Sequence, residues 1–160
     1  MTTQPEQLLE NNLVAQLKLM AYDYVPVSDE KELLSNLKVQ LEKHNKVVFT
    51  ELEFDRVLNI LSKGSVFDKA VTLREKQHIV RDNGEDLYFD FINQDNWCQN
   101  LFQVTNQVTI DGKYKNRYDV TLLINGLPLV QIELKRRGIE LKEAFNQTNR
   151  YQRHSYGASL

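Results

Sequence analysis

Residues 116–135 read NRYDVTLLINGLPLVQIELK, and the fold is best predicted from this stretch. Asn125-Gly126 is a strong turn signal, because both residues tolerate positive φ. Apolar and polar positions alternate on either side of this dipeptide, as they do in strands with one buried face. The stretch therefore predicts a β-hairpin, with Asp119 on its first strand and Glu133 and Lys135 on its second.

The polar side chains of this hairpin suggest a metal site. Two carboxylates held close together repel each other unless a cation lies between them. Carboxylate oxygens suit Mg²⁺, which keeps several waters and is usually completed by a substrate phosphate. A metal bound there can activate water, and a neighbouring lysine can stabilise charge on a phosphoryl oxygen. From spacing alone, a salt-bridged Glu-x-Lys pair on a solvated strand face is the commoner alternative.

The register of the hairpin decides whether the two carboxylates can meet. Directly opposed residues of an antiparallel pair point to the same face. A regular two-residue turn would place Asp119 opposite Ile132, on the other face from Glu133. The sequence therefore predicts either a three-residue loop over 125–127 or a bulge in one strand, since either would place Asp119 opposite Glu133.

The same stretch resembles the PD-(D/E)xK nucleases, and closely the N-terminal endonuclease domain of type I restriction enzyme R subunits. The matching segments are Tyr118-Asp119-Val120, Asn125-Gly126-Leu127-Pro128-Leu129-Val130 and Glu133-Leu134-Lys135. The resemblance implies a restriction-endonuclease-like α/β fold, in which a mixed sheet with a central antiparallel hairpin is flanked by helices. It also implies Mg²⁺-dependent hydrolysis of double-stranded DNA, in a complex with methylation and specificity subunits.

The resemblance assigns roles to individual residues of the site. Asp119 and Glu133 would bind the metal, with the Leu134 backbone carbonyl as a further ligand. Lys135 would position the attacking water and stabilise charge. Glu10, on the first predicted helix, stands where related nucleases have a glutamate that helps to hold the metal. From the sequence pattern alone, a partly exposed acid at the edge of an apolar helix stripe is the commoner alternative for Glu10.

A predicted helix after the Glu-Leu-Lys segment carries Gln147 and Tyr151 four residues apart, on one face. This spacing matches the Gln-x-x-x-Tyr element of RecB-like nucleases, which implies DNA contact or support of the site. An amphipathic helix whose tyrosine packs on the sheet is the structural alternative. Further basic residues expected to meet DNA phosphates are Arg136, Arg137 and Arg150.

Charge is unevenly distributed along the chain. Residues 112–160 hold nine Lys and Arg against four Asp and Glu, a net charge of +5. Residues 1–111 therefore carry −7, since the whole chain has a formal charge of −2. A basic region beside an acidic metal site suits a phosphodiester substrate. Scattered surface lysines are the alternative.

Length and composition fit one globular domain. The chain has 160 residues, 26% charged and 41% hydrophobic, an ordinary balance for a domain with its own core. No apolar run approaches the ~20 residues of a membrane helix, and the start lacks the features of a signal peptide. Cys98 is the only cysteine, which fits a cytoplasmic protein. Cys98 and Trp97 are expected in the core.

Capping residues and apolar spacing predict a helical layer before the hairpin. Helices are expected to begin near Pro5, Ser28, Thr50 and Ser65. Short strands are expected at 77–81 and 87–92, and a longer strand at 101–110 directly before the hairpin. The resulting architecture is α/β.

No phosphate-binding loop of the GxxxxGK[ST] type is present in the sequence. We therefore expect residues 1–160 to be a single nuclease domain, the N-terminal fragment of a longer subunit whose ATP-driven motor lies elsewhere. Two other functions remain open: a non-catalytic nuclease-like module that docks DNA or partner subunits, and a RecB-like repair nuclease. Intact Asp119, Glu133 and Lys135 argue against the first, and the Asn-Gly-Leu-Pro turn argues against the second.

Overall fold

The structure, a computed structural model, describes residues 5–111, 115–135, 142 and 145–149. Its helices are α1 (Glu6–Leu19), α2 (Glu30–Asn45), α3 (Glu51–Ser62) and α4 (Val66–Arg74). Its strands are β1 (Asp23–Tyr24), β2 (Gln77–Val80), β3 (Asp86–Phe89), β4 (Phe102–Asp111), β5 (Lys115–Ile124) and β6 (Leu127–Ile132). Residues 142 and 145–149 are also helical. The predicted α/β class and the order of the main elements are confirmed.

Side chains cap the starts of α2, α3 and α4. Thr50 and Ser65 each form the reciprocal hydrogen bonds of a capping box with the third residue of the helix that follows. The cap of α2 is Asp29, whose carboxylate accepts a 2.9 Å hydrogen bond from the Glu32 backbone N–H. Ser28, the predicted cap, instead donates to the Glu32 side chain. The helix therefore begins one residue later than the sequence pattern indicates.

The main sheet has the strand order β1-β4-β5-β6. Strand β1 is parallel to β4, and the other neighbours are antiparallel, so the sheet is mixed. The Asn-Gly hairpin, β5–β6, lies at one edge of the described sheet rather than at its centre as expected. The central antiparallel pair is β4–β5, because β4 pairs with β5 along nearly its whole length and takes β1 on its other side. Strands β2 and β3 form a separate two-stranded sheet.

Three apolar clusters hold these elements together. The largest joins α2, α3 and the β2–β3 hairpin, and it includes Leu127 at the start of β6. A second packs the chain before α2 and α2 itself against the main sheet through Val27, Leu33, Val108 and Leu123. The third seats α1 on the sheet, and its members are Leu13, Val14, Leu17, Tyr22, Val104, Val120, Leu122, Ile132 and Leu134. Helix α1 therefore lies beside the end of the β5–β6 hairpin that is remote from the turn.

The loop before β4 contains two residues, Trp97 and Cys98, whose predicted burial is wrong. Trp97 is 53% exposed in a short 3₁₀ turn, and Cys98 is exposed beside it. The loop is closed instead by asparagines, since the Asn100 amide oxygen accepts hydrogen bonds from the Asn93 N–H and the Asn125 side chain. These polar contacts fix the backbone and leave the indole ring outside. Among the described residues, none of the helices combines the length and the apolar composition of a membrane-spanning segment.

Candidate active site

A bulge sets the register of the β5–β6 hairpin. The turn is Asn125-Gly126, with φ values of 52° and 83°, as in the two-residue turns that suit the strand twist. Between the turn and the far end of the hairpin, the pairing shifts by one residue, which leaves Leu129 without an opposite residue on β5. Beyond the shift, Val120 pairs with Ile132.

This pairing brings the two predicted carboxylates to the same level. Continued one step outward from Val120 and Ile132, this register sets Asp119 opposite Glu133, and directly opposed residues share a face. Of the two alternatives derived from the sequence, the bulge is confirmed and the three-residue loop is wrong. The two-residue turn forms because both of its residues accept positive φ, and the bulge then restores the facing that the turn alone would reverse.

Hydrogen bonds connect the side chains at this end of the hairpin. The Asp119 Oδ2 accepts a 2.8 Å hydrogen bond from the Leu134 N–H. The Glu133 Oε1 accepts from Lys135 Nζ at 3.2 Å and also from Gln147 Nε2. The Glu133 side chain is only 10% exposed and that of Lys135 is 22% exposed. The structure thus brings together Asp119, Glu133, Lys135 and Gln147, four of the residues singled out from the sequence.

Among the described side chains, those of Asp119, Glu6 and Lys135 act on the ionisation of Glu133 through their charges. Burial raises the pKa of the Glu133 carboxyl, and the neighbouring Asp119 charge raises it further. The Lys135 ammonium opposes this rise through its hydrogen bond and its charge, while Glu6 on α1 adds to it. A further cation near Asp119 and Glu133 would therefore stabilise the ionised pair.

We expect Glu133→Gln to stabilise the fold at neutral pH. The raised pKa means that the folded chain keeps the Glu133 proton to higher pH than the unfolded chain, so ionisation costs stability. The gain from the substitution should be full above the folded-state pKa and should disappear below the ordinary carboxyl value of 4.5. Thermal unfolding of both proteins across this pH range measures the difference. A gain that does not change with pH would show that the Glu133 charge is not its source.

Glu10 lies on α1 and is 3% exposed. Its two oxygens accept hydrogen bonds from Asn106 Nδ2 and Gln107 Nε2, each at 2.6 Å. Sequence reasoning missed both amides, because Asn106 and Gln107 read as ordinary residues of a strand. Only the folded structure identifies them, because they are brought to Glu10 where α1 lies against β4.

Asp119 and Glu133 suit a Mg²⁺ ion that takes its remaining ligands from water and substrate. Mg²⁺ is commonly held by one or two carboxylates, with waters and substrate phosphates completing its shell. The pair supplies two such ligands, and the pKa of Glu133, raised first by burial and then by the Asp119 charge, is one that a bound cation would lower. Within the described part of the chain, no group of three or more His, Cys, Asp or Glu side chains is placed to hold a metal.

Four of the predicted site residues lie outside the described residues: Arg136, Arg137, Arg150 and Tyr151. Their assignment to DNA contact remains a prediction from the sequence. Much of the basic region over 112–160 also falls outside the described ranges.

Comparisons with known proteins cover nearly the whole chain. Residues 3–159 match the family described as type I restriction enzyme R protein N terminus. Type I restriction enzyme endonuclease subunits of Staphylococcus aureus (strain COL) and Staphylococcus saprophyticus are 46% and 47% identical over 161 residues, which cover 98% of this chain. The EcoprrI endonuclease subunit of Escherichia coli is 38% identical over 97% of the chain. The chain spans 17% of the length of the staphylococcal relatives and 51% of the Escherichia coli one.

Proposed function

The chain belongs to the family of type I restriction enzyme R protein N termini, and from that membership we propose that it is the metal-dependent endonuclease domain of an R subunit. The reaction is hydrolysis of phosphodiester bonds in double-stranded DNA. The proposal rests above all on the bulged hairpin, which sets Asp119 beside Glu133 with Lys135 hydrogen-bonded to Glu133. The relatives, named as endonuclease subunits, support the same class of activity.

We assign a role in this reaction to each of Asp119, Glu133 and Lys135. Asp119 and Glu133, with the Leu134 carbonyl, would hold Mg²⁺, which when bound lowers the pKa of a coordinated water and offsets charge on the phosphoryl oxygens. The Leu134 N–H orients Asp119 by donating to one of its oxygens. Lys135 holds a positive charge where the attacking water and the phosphate meet, and there it stabilises the developing negative charge.

Gln147 supports the site in this proposal. Its amide donates to the Glu133 oxygen that also accepts from Lys135, so the helix over 145–149 steadies a metal-binding carboxylate from outside the sheet. Partners of this kind orient metal ligands and are costly to remove. Contact with the DNA backbone falls to Arg136, Arg137, Arg150 and Tyr151.

The remaining parts of the proposal concern the whole enzyme. The chain covers 17% of the staphylococcal relatives, so we place the ATP-driven motor in a further part of the subunit. Methylation and specificity subunits would complete the restriction complex, with the specificity subunit selecting the DNA. Within the subunit, we assign the described sheet and helices to the restriction-endonuclease-like fold.

A single substitution tests this function through metal binding and cleavage together. In the full-length subunit without nucleotide, Asp119→Asn should remove a Mn²⁺-binding event that titration calorimetry detects in the wild type, because a neutral amide is a much weaker metal ligand. In the assembled complex, the same variant should lose DNA cleavage but keep DNA-stimulated ATP hydrolysis. Asp86→Asn, which alters an exposed carboxylate on β3, is the matched control.

The opposite outcome is equally informative. If Asp119→Asn cleaves DNA as the wild type does, the hairpin is not the nuclease site. Such a result would favour a module that docks DNA or partner subunits and leaves hydrolysis to another part of the complex.

A further inference from the structure

Two side-chain amides of β4 hold a buried carboxylate of α1. The Glu10 side chain is almost fully buried, and each of its oxygens accepts one short hydrogen bond, from Asn106 and from Gln107. None of the ion pairs formed by the described side chains includes Glu10. We call the contact between Glu10, Asn106 and Gln107 the amide clamp.

The backbone at Gln107 makes the amide clamp possible. Neighbouring residues of a regular strand point to opposite faces of the sheet, so they cannot reach the same group. Gln107 has φ of 59°, in the left-handed region, although the ladder with β5 continues on both sides without a register shift. This conformation is uncommon for a residue other than glycine, and here it lets two successive amides reach one carboxylate. Strained positions of this kind concentrate at functional sites.

The amide clamp lies beside the candidate active site. Gln107 sits between two residues that pair with Val120 and Tyr118, so it is level with Asp119 on the neighbouring strand. Asp119 is itself level with Glu133 across the hairpin. Leu134, whose N–H donates to Asp119, belongs to the same apolar cluster as Leu17 of α1. Helix α1 and the backbone group that orients Asp119 are therefore parts of one apolar cluster.

We propose that Asn106 and Gln107 are positioning residues of this site, and that Glu10 acts through them rather than as a metal ligand. The proposal rests on the nuclease function proposed above. Both Glu10 oxygens already accept amide hydrogen bonds, and Glu10 does not form a three-carboxylate group with Asp119 and Glu133 in the described part of the chain. The amide clamp locks α1 to β4 and so fixes the groups that orient Asp119.

Glu10→Gln separates this role from metal binding. Asn106 cannot easily turn its amide, because its oxygen accepts a 2.9 Å hydrogen bond from the Tyr24 hydroxyl. It would therefore continue to donate to the new side-chain oxygen. Gln107 can turn its amide and accept from the new NH₂ group, so both hydrogen bonds survive without the charge. We expect Mn²⁺ affinity and DNA cleavage to fall by less than the roughly 10–100-fold that loss of a group orienting a metal ligand costs, far short of the loss in Asp119→Asn, and the melting temperature to change little.

Gln107→Gly is the complementary variant. Glycine adopts the left-handed conformation without strain, so the substitution removes the amide and keeps the path of β4. We expect Mn²⁺ affinity and cleavage to fall about 10–100-fold, as for other groups that orient metal ligands. Gln103→Ala is the matched control, because it removes another amide contact between β4 and a helix, the one with Asn36 on α2. It should lower the melting temperature and leave Mn²⁺ binding intact.

All variants are compared in the full-length subunit for Mn²⁺ titration and melting, and in the assembled complex for cleavage. Loss of Mn²⁺ binding in Glu10→Gln as complete as in Asp119→Asn would make Glu10 a ligand and overturn the proposal. Wild-type affinity and cleavage in Gln107→Gly would overturn it as well. Both results leave the nuclease function standing. If the wild type shows no Mn²⁺ binding that depends on Asp119, the nuclease function fails, and the amide clamp proposal fails with it.

Discussion

We expect Lys135→Ala to lower DNA cleavage by the assembled complex about 10²–10³-fold, while DNA-stimulated ATP hydrolysis continues. The loss corresponds to about 2.7–4 kcal/mol of transition-state stabilisation, the usual cost of removing one positioned donor from a reacting centre. ATP hydrolysis should persist because the proposed motor is a different part of the subunit. Cleavage of plasmid DNA and release of phosphate, measured on the same samples, report the two activities.

Lys135 should also matter for the ionisation of its neighbour. Its ammonium lowers the pKa of Glu133 against the effects of burial and of Asp119. Without it, that pKa rises further, so the remaining cleavage of the variant should be weakest at low pH and partly recover as pH increases. Lys38→Ala is the control, because Lys38 forms an ion pair with Glu51 between α2 and α3, away from the hairpin end. Cleavage by Lys135→Ala at the wild-type rate would remove this lysine from the mechanism.

The second large effect is expected on folding, from Gly126→Ala. A Cβ atom at this position would lie 2.7 Å from the Leu37 Cα and 3.2 Å from the Leu37 N. The contacted atoms are backbone atoms of α2, and Leu37 is held in the largest apolar cluster, so the helix cannot easily withdraw. The left-handed conformation adds about 1–2 kcal/mol and overpacking about 1–3 kcal/mol. The total of about 2–5 kcal/mol is a large share of a typical domain stability of about 5–15 kcal/mol.

Gly84→Ala separates the two causes of this loss. Gly84 has φ of 87°, close to that of Gly126, but nothing lies within 4 Å of a Cβ built there. It should therefore lose only the conformational part, about 1–2 kcal/mol. Denaturant unfolding of the two variants gives the difference that belongs to the close approach between the turn and α2. Equal losses would mean that the turn does not bear on the helix.

The register of the hairpin could be predicted because two independent requirements met in one stretch. Asn125-Gly126 called for a two-residue turn, and the chemistry of Asp119 and Glu133 called for a shared face. Only a longer loop or a bulge satisfies both, and the bulge at Leu129 is what the structure contains. The helix starts at Thr50 and Ser65 were predictable for a different reason. Each capping box is formed by residues only three apart in sequence, so its pattern is visible locally.

Features that depend on distant contacts could not be predicted. The left-handed Gln107 carries no local signal, because the carboxylate that it binds lies 97 residues away in sequence. Trp97 was expected in the core from its size, but the loop around it is closed by asparagine hydrogen bonds instead. The Asn125 side chain, fully buried, donates to the Phe91 carbonyl and accepts from the Leu101 N–H. Local pattern shows Asn125 as a turn residue only.

The bulge at Leu129 adds one residue to β6 between the turn and Glu133. Six residues, 127–132, separate the turn from Glu133, but only five, 120–124, separate Asp119 from the turn, so one residue of β6 must bulge for the two carboxylates to face each other. Leu129 is 39% exposed and has no residue opposite it on β5, so its side chain should be largely replaceable. Deleting it would leave a regular two-residue hairpin in which Asp119 still stands opposite Glu133. An inserted residue would instead bring Ile132 opposite Asp119 unless a second bulge formed, so this hairpin should tolerate many substitutions over 128–132 and hardly any single-residue insertion.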